Sequence, residues 1–235
     1  NRTLDITLLA LDHGMILKDA SAYNLTFENL EPIFIDSLSF ERYTPGQPWT
    51  AYRQFCEHFL LPLALLSTRG DAIRGLQQSF VEGIPLDVGA PLLPFRTKLR
   101  PSLLAHIHAH ARAQRQHSGS KAASAAQKVK VPESSLRGLL QNLRSTVSSL
   151  RPNGDPSEWG NYYSDTNYSS DAARKKSALV KDFIARGKSH LQTTEGDEES
   201  RAFRLLDLGG NDGRFSRLGL ELGMHVISTD ADDNA

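Results

Sequence analysis

Phe203-Arg204-Leu205-Leu206-Asp207-Leu208-Gly209-Gly210-Asn211-Asp212-Gly213-Arg214-Phe215-Ser216 is the stretch whose reading decides the fold. A short apolar run ends in an acid, enters a glycine turn and leaves on a helical pattern. That predicts a strand, a nucleotide-binding turn and a helix N-terminus. The glycines at 209, 210 and 213 let the backbone turn tightly and approach a ligand with no Cβ in the way. A second strand pattern follows, His225-Val226-Ile227-Ser228-Thr229, capped by Asp230, seventeen residues after Gly213. An acid at that place can hold a ribose through its two hydroxyls.

The spacing is Asp-x-Gly-x-x-x-Gly, unlike the Gly-x-Gly-x-x-Gly of dinucleotide enzymes. In those enzymes the helix N-terminus is aimed at a pyrophosphate. Here Asp207 projects a carboxylate into the same space and would repel that anion. A carboxylate suits a cationic or amine-bearing ligand. The pattern therefore favours S-adenosylmethionine, with its sulfonium and α-amino group, over a nicotinamide dinucleotide. The plainer alternative is a tight strand-to-helix connection with no ligand.

Leu206-Asp207-Leu208-Gly209-Gly210-Asn211-Asp212-Gly213 resembles the first motif of the class I S-adenosylmethionine-dependent methyltransferases, and Asp230 matches the acid after that family's second strand. The resemblance is closer to a bacterial subgroup related to the nodulation protein NoeA. It runs through Pro48-Trp49-Thr50-Ala51-Tyr52-Arg53-Gln54-Phe55-Cys56, His106-Ile107-His108-Ala109-His110-Ala111-Arg112 and Glu158-Trp159-Gly160-Asn161-Tyr162-Tyr163-Ser164-Asp165-Thr166-Asn167-Tyr168-Ser169. It implies S-adenosylmethionine as cofactor and direct displacement at its sulfonium methyl, driven mostly by proximity and alignment, with a small-molecule or unidentified acceptor. It implies that Gly209, Gly210 and Gly213 pass close to the methionine end of the cofactor, with Asn211 and Phe215 beside them. Asp207 would hold the amino group, directly or through water, and Asp230 the ribose, with Asp232 a second candidate. Residues 162–168 lie where such enzymes place a flap over the cofactor, which makes Tyr163 and Tyr168 candidates to shield the methyl. Packing of Trp159, Tyr162, Tyr163 and Tyr168 onto the sheet is the alternative. Only the first two strands of the family's sheet fall within these residues; its later motifs, the catalytic loop among them, are expected beyond residue 235.

The expected fold class is α/β: a mostly helical N-terminal region, then the start of a Rossmann-like methyltransferase sheet truncated after the second strand. Residues 4–17 predict a helix ending near Gly14, and residues 23–27 and 32–35 a hairpin with Asn29 in its turn. Residues 49–68 predict a helix kinked or broken at Pro62. Further helices are predicted over 71–81, 92–115, 136–150 and 171–186, the last capped by Ser170 or Asp171. Residues 193–200 read as an acidic loop. The expected division is a helical region with a hairpin over 1–116, a flexible linker over 117–130, a helical connector and cofactor flap over 131–200, and the start of the cofactor domain over 201–235.

The 235 residues are 39% apolar, enough for one large or two small cores, and the formal net charge is zero. The charge is unevenly spread: residues 96–151 carry 11 basic residues and one acid, Glu133, between two segments that are each acidic by 5. A basic stretch can bind phosphates, nucleic acid included; the favoured alternative is a helical face that docks on the acidic flanks. The single cysteine, Cys56, excludes an intrachain disulfide and fits a reducing, cytoplasmic compartment. No membrane span is expected, because the longest apolar run, 59–66, is interrupted by Pro62 and is far short of the roughly 20 residues a span needs. The chain starts at Asn1 inside an apolar helical pattern, so both ends read as cut.

Two further constellations carry chemistry. His106 and His110 share a helix face at a spacing that can hold a metal. No acid lies in the segment to complete a site, and packing or hydrogen-bonding histidines with no metal are expected. Asp19, followed by Asn24 and, after the hairpin, by Asp36, resembles the catalytic loop and metal-binding acid of kinase-like phosphotransferases. There the first acid takes a hydroxyl proton and the other two residues hold magnesium. Ser37 stands where those enzymes have glycine, and the nucleotide-gripping lobe does not precede the pattern. Ordinary turn acids flanking a hairpin are the alternative.

Overall fold

Thr3, Leu4, Thr7, Ala10 and Leu11 recur at three- and four-residue intervals and are buried along one stripe of the first helix, α1 (Arg2–Asp12). The computed structural model describes residues 1–116, 130–151, 159–160, 169–195 and 203–232. The expected linker, apart from Lys130, and Tyr163 and Tyr168 of the expected flap lie outside the described residues. The chain is mixed α/β, mainly helical with three two-stranded sheets among the described residues. It divides into two units, Asn1–Asn153 and Gly154–Ala235.

In the first unit the helix expected over 4–17 stops at Asp12. Gly14 takes a left-handed φ of +68° and turns the chain into β1 (Met15–Leu17). β1 pairs antiparallel with β4 (Phe40–Arg42). Between them β2 (Leu25–Glu28) and β3 (Glu31–Phe34) form the expected hairpin, turned by Asn29 and Leu30 at φ 49° and 68°. Two left-handed residues in a two-residue loop match the right-handed twist of the strands.

Residues 52–69 run on as one helical segment, α2. Pro62 has no N–H to give, so a break is expected there. A wide turn over Cys56–Leu60 absorbs it instead, with the Leu61 N–H bonded to the Cys56 carbonyl. α3 (Arg74–Ser79) and the short α4 (Leu86–Gly89) follow, then α5 over residues 101–116, which contains a second wide turn at Leu104–Ala109. α6 (Glu133–Ser149) completes the unit. Leu136, Leu140 and Leu143 are fully buried in the same core as Leu4, Leu17, Phe55, Leu60, Leu65, Leu103 and Ile107. Each such side chain contributes roughly 1.5–3 kcal/mol of burial. α6 also pairs Arg137 with Asp12 at 2.8 Å and Arg144 with Asp5 at 2.5 Å, both on α1.

The expected connector over 131–200 is therefore divided: α6 packs into the first core, and α7 (Ser170–Glu195) lies in the second unit. α7 runs past residue 186 and takes in the first residues of the expected acidic loop. β5 (Arg204–Leu208) and β6 (His225–Thr229) pair in parallel, joined by α8 (Arg214–Glu221). α8 covers one face of the pair. It approaches so closely that a Cβ on Gly219 would lie 2.6 Å from Leu205 and 2.9 Å from Val226. α7 packs on α8, with Lys181 paired to Glu221 at 2.6 Å and Lys188 donating to the Leu222 carbonyl at the end of α8, also 2.6 Å. No helix among the described residues is long and apolar enough to cross a membrane.

Candidate functional site

Alternation along β5 and β6 puts Leu205, Asp207, Val226 and Ser228 on the α8 side. The turn after β5 is tied down by the end of β6. The Gly209 and Gly210 amides both donate to the Thr229 carbonyl, at 2.8 and 3.1 Å, and the Asn211 amide donates to Asp230 Oδ2 at 2.9 Å. The Gly213 amide closes the turn onto the Gly210 carbonyl at 2.9 Å. Gly209 and Gly213 sit at φ +71° and +72°, and Asn211 at 45°, a region that asparagine enters readily by bonding locally. Asn211 Nδ2 donates to the Trp159 carbonyl at 2.7 Å, three residues before the expected flap, which itself lies outside the described residues.

Each glycine has a distinct reason. A Cβ on Gly210 would stand 2.1 Å from Ser228 Oγ and 3.3 Å from Asp207 Oδ2, so β6 itself occupies that side. Gly209 meets nothing within 4 Å and is open to approach. Asp207 is half-buried beneath the turn, where Ser216 Oγ donates to its Oδ2 at 2.6 Å. Asp230 accepts from two backbone amides, Asn211 and Asp232, with the Asp232 bond at 2.9 Å. Those bonds, the Asp232 amide foremost, hold the Asp230 carboxyl below the usual carboxylate range. Phe215 lies on the first turn of α8 with Lys176 of α7 5.2 Å above its ring.

The structure thus brings Asp207, Gly209, Gly210, Asn211, Gly213, Asp230 and Asp232 around one turn. Four of its amides are engaged internally, so the turn is not an open nest of donors for a phosphate. Its accessible chemistry is carboxylate. Ser216, Ser228, Thr229 and Gly219 join the site without a motif to mark them in the sequence. The register partner of Asp207 is Ser228, and a strict reading of the two strands' alternation is the signal that points to it.

In the first unit Asp19, Asn24 and Asp36 also meet. Asn24 Nδ2 donates to the Asp19 carbonyl at 3.3 Å and to Ser39 Oγ at 3.0 Å, and Ser39 Oγ donates to Asp36 Oδ2 at 2.5 Å. Asp19 Oδ1 accepts from the Ser21 amide and Asp36 Oδ1 from the Leu38 amide, both at 2.9 Å. The Ser39 hydroxyl, then the Leu38 amide, lowers the Asp36 pKa. Both carboxylates cap local turns, the role of ordinary turn acids.

His106 and His108 are hydrogen-bonded, and His110 is packed. His106 Nδ1 meets Tyr52 Oη at 2.7 Å and its Nε2 meets Asn142 Oδ1 at 2.8 Å, joining α2, α5 and α6 through one buried ring. His108 Nε2 meets Thr97 Oγ1 at 2.8 Å, and His110 packs on the Tyr52 ring at 5.0 Å. Burial pushes the Cys56 thiol up to about 12, and it is a core residue rather than a nucleophile. Among the described residues no group of three or more His, Cys, Asp or Glu side chains is placed to hold a metal ion.

The chain is similar to the nodulation protein NoeA of Rhizobium meliloti (strain 1021), with 32% identity over 236 residues, 99% of this chain and 47% of that protein. It spans about half the length of that relative. No family model matches the chain. No solved structure matches it.

Proposed function

We propose that the second unit is the cofactor-binding part of an S-adenosylmethionine-dependent methyltransferase with the beginning of a Rossmann-like sheet. The observation that carries this reading is the turn after β5: two glycines and an asparagine in left-handed conformations, strapped to Asp230 and Thr229, with Asp207 beneath. The residues present fit the cofactor. Gly209 leaves room for close approach, four of the turn's amides are engaged internally, and the half-buried Asp207 and the Asp230 carboxylate suit an ammonium and a diol. The bound cofactor would supply an electrophilic methyl on a sulfonium. In this reading Asp207, positioned by Ser216, attracts the amino group, and Asp230, with its carboxylate fixed by Asn211 and Asp232, accepts from the ribose hydroxyls. Similarity along nearly the whole chain to a nodulation protein supports a role of the same kind for this chain, including its helical first unit.

Titration calorimetry of the full-length protein with S-adenosylmethionine tests the assignment. Asp230→Ala is expected to weaken binding more than about tenfold, the loss of a charge-assisted pair of hydrogen bonds. Absence of binding to the folded wild type would sink it. In the kinase-like alternative, ATP with magnesium would bind, Asp36→Asn would abolish that binding and Asp230→Ala would leave it unchanged. The turn-capping roles of Asp19 and Asp36 give that reading less support.

A further inference from the structure

Within the basic stretch over residues 96–151, two groups of arginines have different settings in the folded first unit. Arg137 and Arg144 lie against α1 and are paired with Asp12 and Asp5. This is the helical face docked on an acidic flank. Arg96, Arg100 and Arg151 have a different setting. They line one cleft of about 370 Å³, together with Ser67 and Thr68 at the end of α2 and Ser149 at the end of α6. No Asp or Glu is among the described residues that line it.

The polar groups of the cleft differ in what they can offer. Ser67 and Thr68 donate their hydroxyl protons back to the Ala64 carbonyl, and Ser149 donates to Thr146. The charged donors are the guanidiniums. Arg151 Nη1 is anchored on the Ser148 carbonyl at 2.8 Å, at the C-terminal end of α6, where a cation is favoured. Arg96 and Arg100 flank the buried Thr97, whose hydroxyl is held by the Pro94 carbonyl and His108. Three like charges around one concavity repel one another, and a bound anion reverses the sign of that interaction. Guanidinium is the side chain that grips phosphoryl oxygens in pairs.

We propose that this cleft binds a small phosphorylated molecule through Arg96, Arg100 and Arg151. The volume lies at the small end of the roughly 300–1,000 Å³ typical of small-molecule sites. No aromatic ring is among the described residues that line the cleft, and single-stranded nucleic acid is held by stacking bases on such rings. The favoured occupant is therefore a compact phosphate ester or diphosphate rather than a polynucleotide. The cleft belongs wholly to the first unit and does not depend on the methyltransferase reading.

The probe is inorganic pyrophosphate, titrated calorimetrically into the full chain. Wild type is expected to bind, with affinity falling as salt rises from about 50 to about 200 mM. Arg100→Ala and Arg151→Ala are each expected to weaken binding about tenfold or more. Arg100→Lys retains part of it, Arg137→Ala leaves it unchanged, and Asp230→Ala leaves it unchanged. All of these sites are exposed or half-exposed, and circular dichroism confirms that each variant is folded. Should a variant fail to fold, the ³¹P line of pyrophosphate with wild type decides by itself: broadening supports the site, an unbroadened line overturns it. The proposal is also overturned if the Arg96→Ala/Arg100→Ala/Arg151→Ala protein binds as well as wild type, or if oligonucleotides bind and pyrophosphate does not.

Discussion

The two units bury their chains in different ways. In the first, Leu4, Leu17, Phe55, Leu65, Leu103 and Leu140 meet in one core, drawn from four helices and a strand, and none is more than 2% exposed. In the second, Ser216 and Met224 are the buried side chains among the described residues, while Leu206, Leu208 and Ile227 are 57%, 74% and 58% exposed. The first unit is held by side-chain packing. Among the described residues of the second, glycines let α8 approach closely and Thr229 and Asp230 strap the turn, with little side-chain burial. The difference teaches where each part can take a ligand. A turn with four of its amides tied off internally presents a fixed backbone surface and two carboxylates, whereas the packed first unit offers a cleft between helix ends. Parallel sheets are covered on both faces, and β5 and β6 have α8 on one. In the methyltransferase reading, further structure covers Leu206, Leu208 and Ile227.

The largest expected effect tests the contrast directly. Leu140→Ala removes a fully buried side chain shared by α6 and the rest of the core and should cost about 2–5 kcal/mol. Leu206→Ala, on the open face of β5, should stay within about 0.5 kcal/mol. Urea denaturation of the two variants checks it, and equal losses would remove the distinction between the units.

A smaller effect tests the claim that the second unit depends on close backbone approach. Gly219→Ala drives a Cβ into Leu205 and Val226 and should cost about 1–3 kcal/mol in thermal unfolding. Gly210→Ala meets the Ser228 hydroxyl first, at 2.1 Å, so Ser228→Gly should relieve it. If the double variant is no more stable than Gly210→Ala alone, β6 is not what excludes a side chain at 210.

The same contrast governs what is legible in the sequence. The bounds of β5, the turn and β6 follow from period-2 alternation and glycine placement, and both strands form where those signals put them. The hairpin forms with Asn29 in its turn as expected, but its strands are Leu25–Glu28 and Glu31–Phe34 instead of 23–27 and 32–35, because residues 22–24 wind into a helical turn. β1 escapes such a reading because three residues after a helix do not reveal a period, and its partner lies more than twenty residues on. α7 reads too short because Gly187 resembles a helix end; one interior glycine costs only about 1 kcal/mol, and Lys181 and Lys188 tie the helix to α8 on both sides of it. The leucines of α6 announce a helix but not which core it joins. The candidate acids around the turn are legible as a set, whereas Ser216 and Ser228, which position Asp207 and exclude a Cβ at 210, depend on register. The three arginines of the cleft are visible only as part of a charge excess, because their convergence comes from separate helix ends.

Backbone strain offers a third comparison. In the second unit the left-handed positions 209 and 213 are glycine, but the hairpin of the first unit places Leu30 at φ 68° with its side chain 92% exposed. A leucine there gains nothing from burial and carries the left-handed penalty of about 1–2 kcal/mol. Leu30→Gly should therefore raise stability by up to about 1 kcal/mol in urea denaturation, since glycine gives part of the gain back as chain entropy. A destabilised variant would mean that Leu30 is held by contacts outside the hairpin.

The smallest effect concerns the ion pairs that both units display. Arg144–Asp5 joins α6 to α1 at 2.5 Å, and Lys181–Glu221 joins α7 to α8 at 2.6 Å, with both partners of each pair at least 40% exposed. Exposed pairs lose to solvent and side-chain entropy most of what they gain by attraction, so each double-mutant cycle should give about 0.2–1 kcal/mol. The Arg144 coupling should matter little, because Leu136, Leu140 and Leu143 already fix α6 in place. The Lys181 coupling acts where side-chain packing is thin and should sit at the upper end of the range. Raising the salt to about 1 M, where the screening length is about 3 Å, should shrink both couplings. A Lys181 coupling that survives that salt would mean α7 and α8 are joined by desolvated contact, and that the second unit is packed more like the first than its exposed leucines suggest.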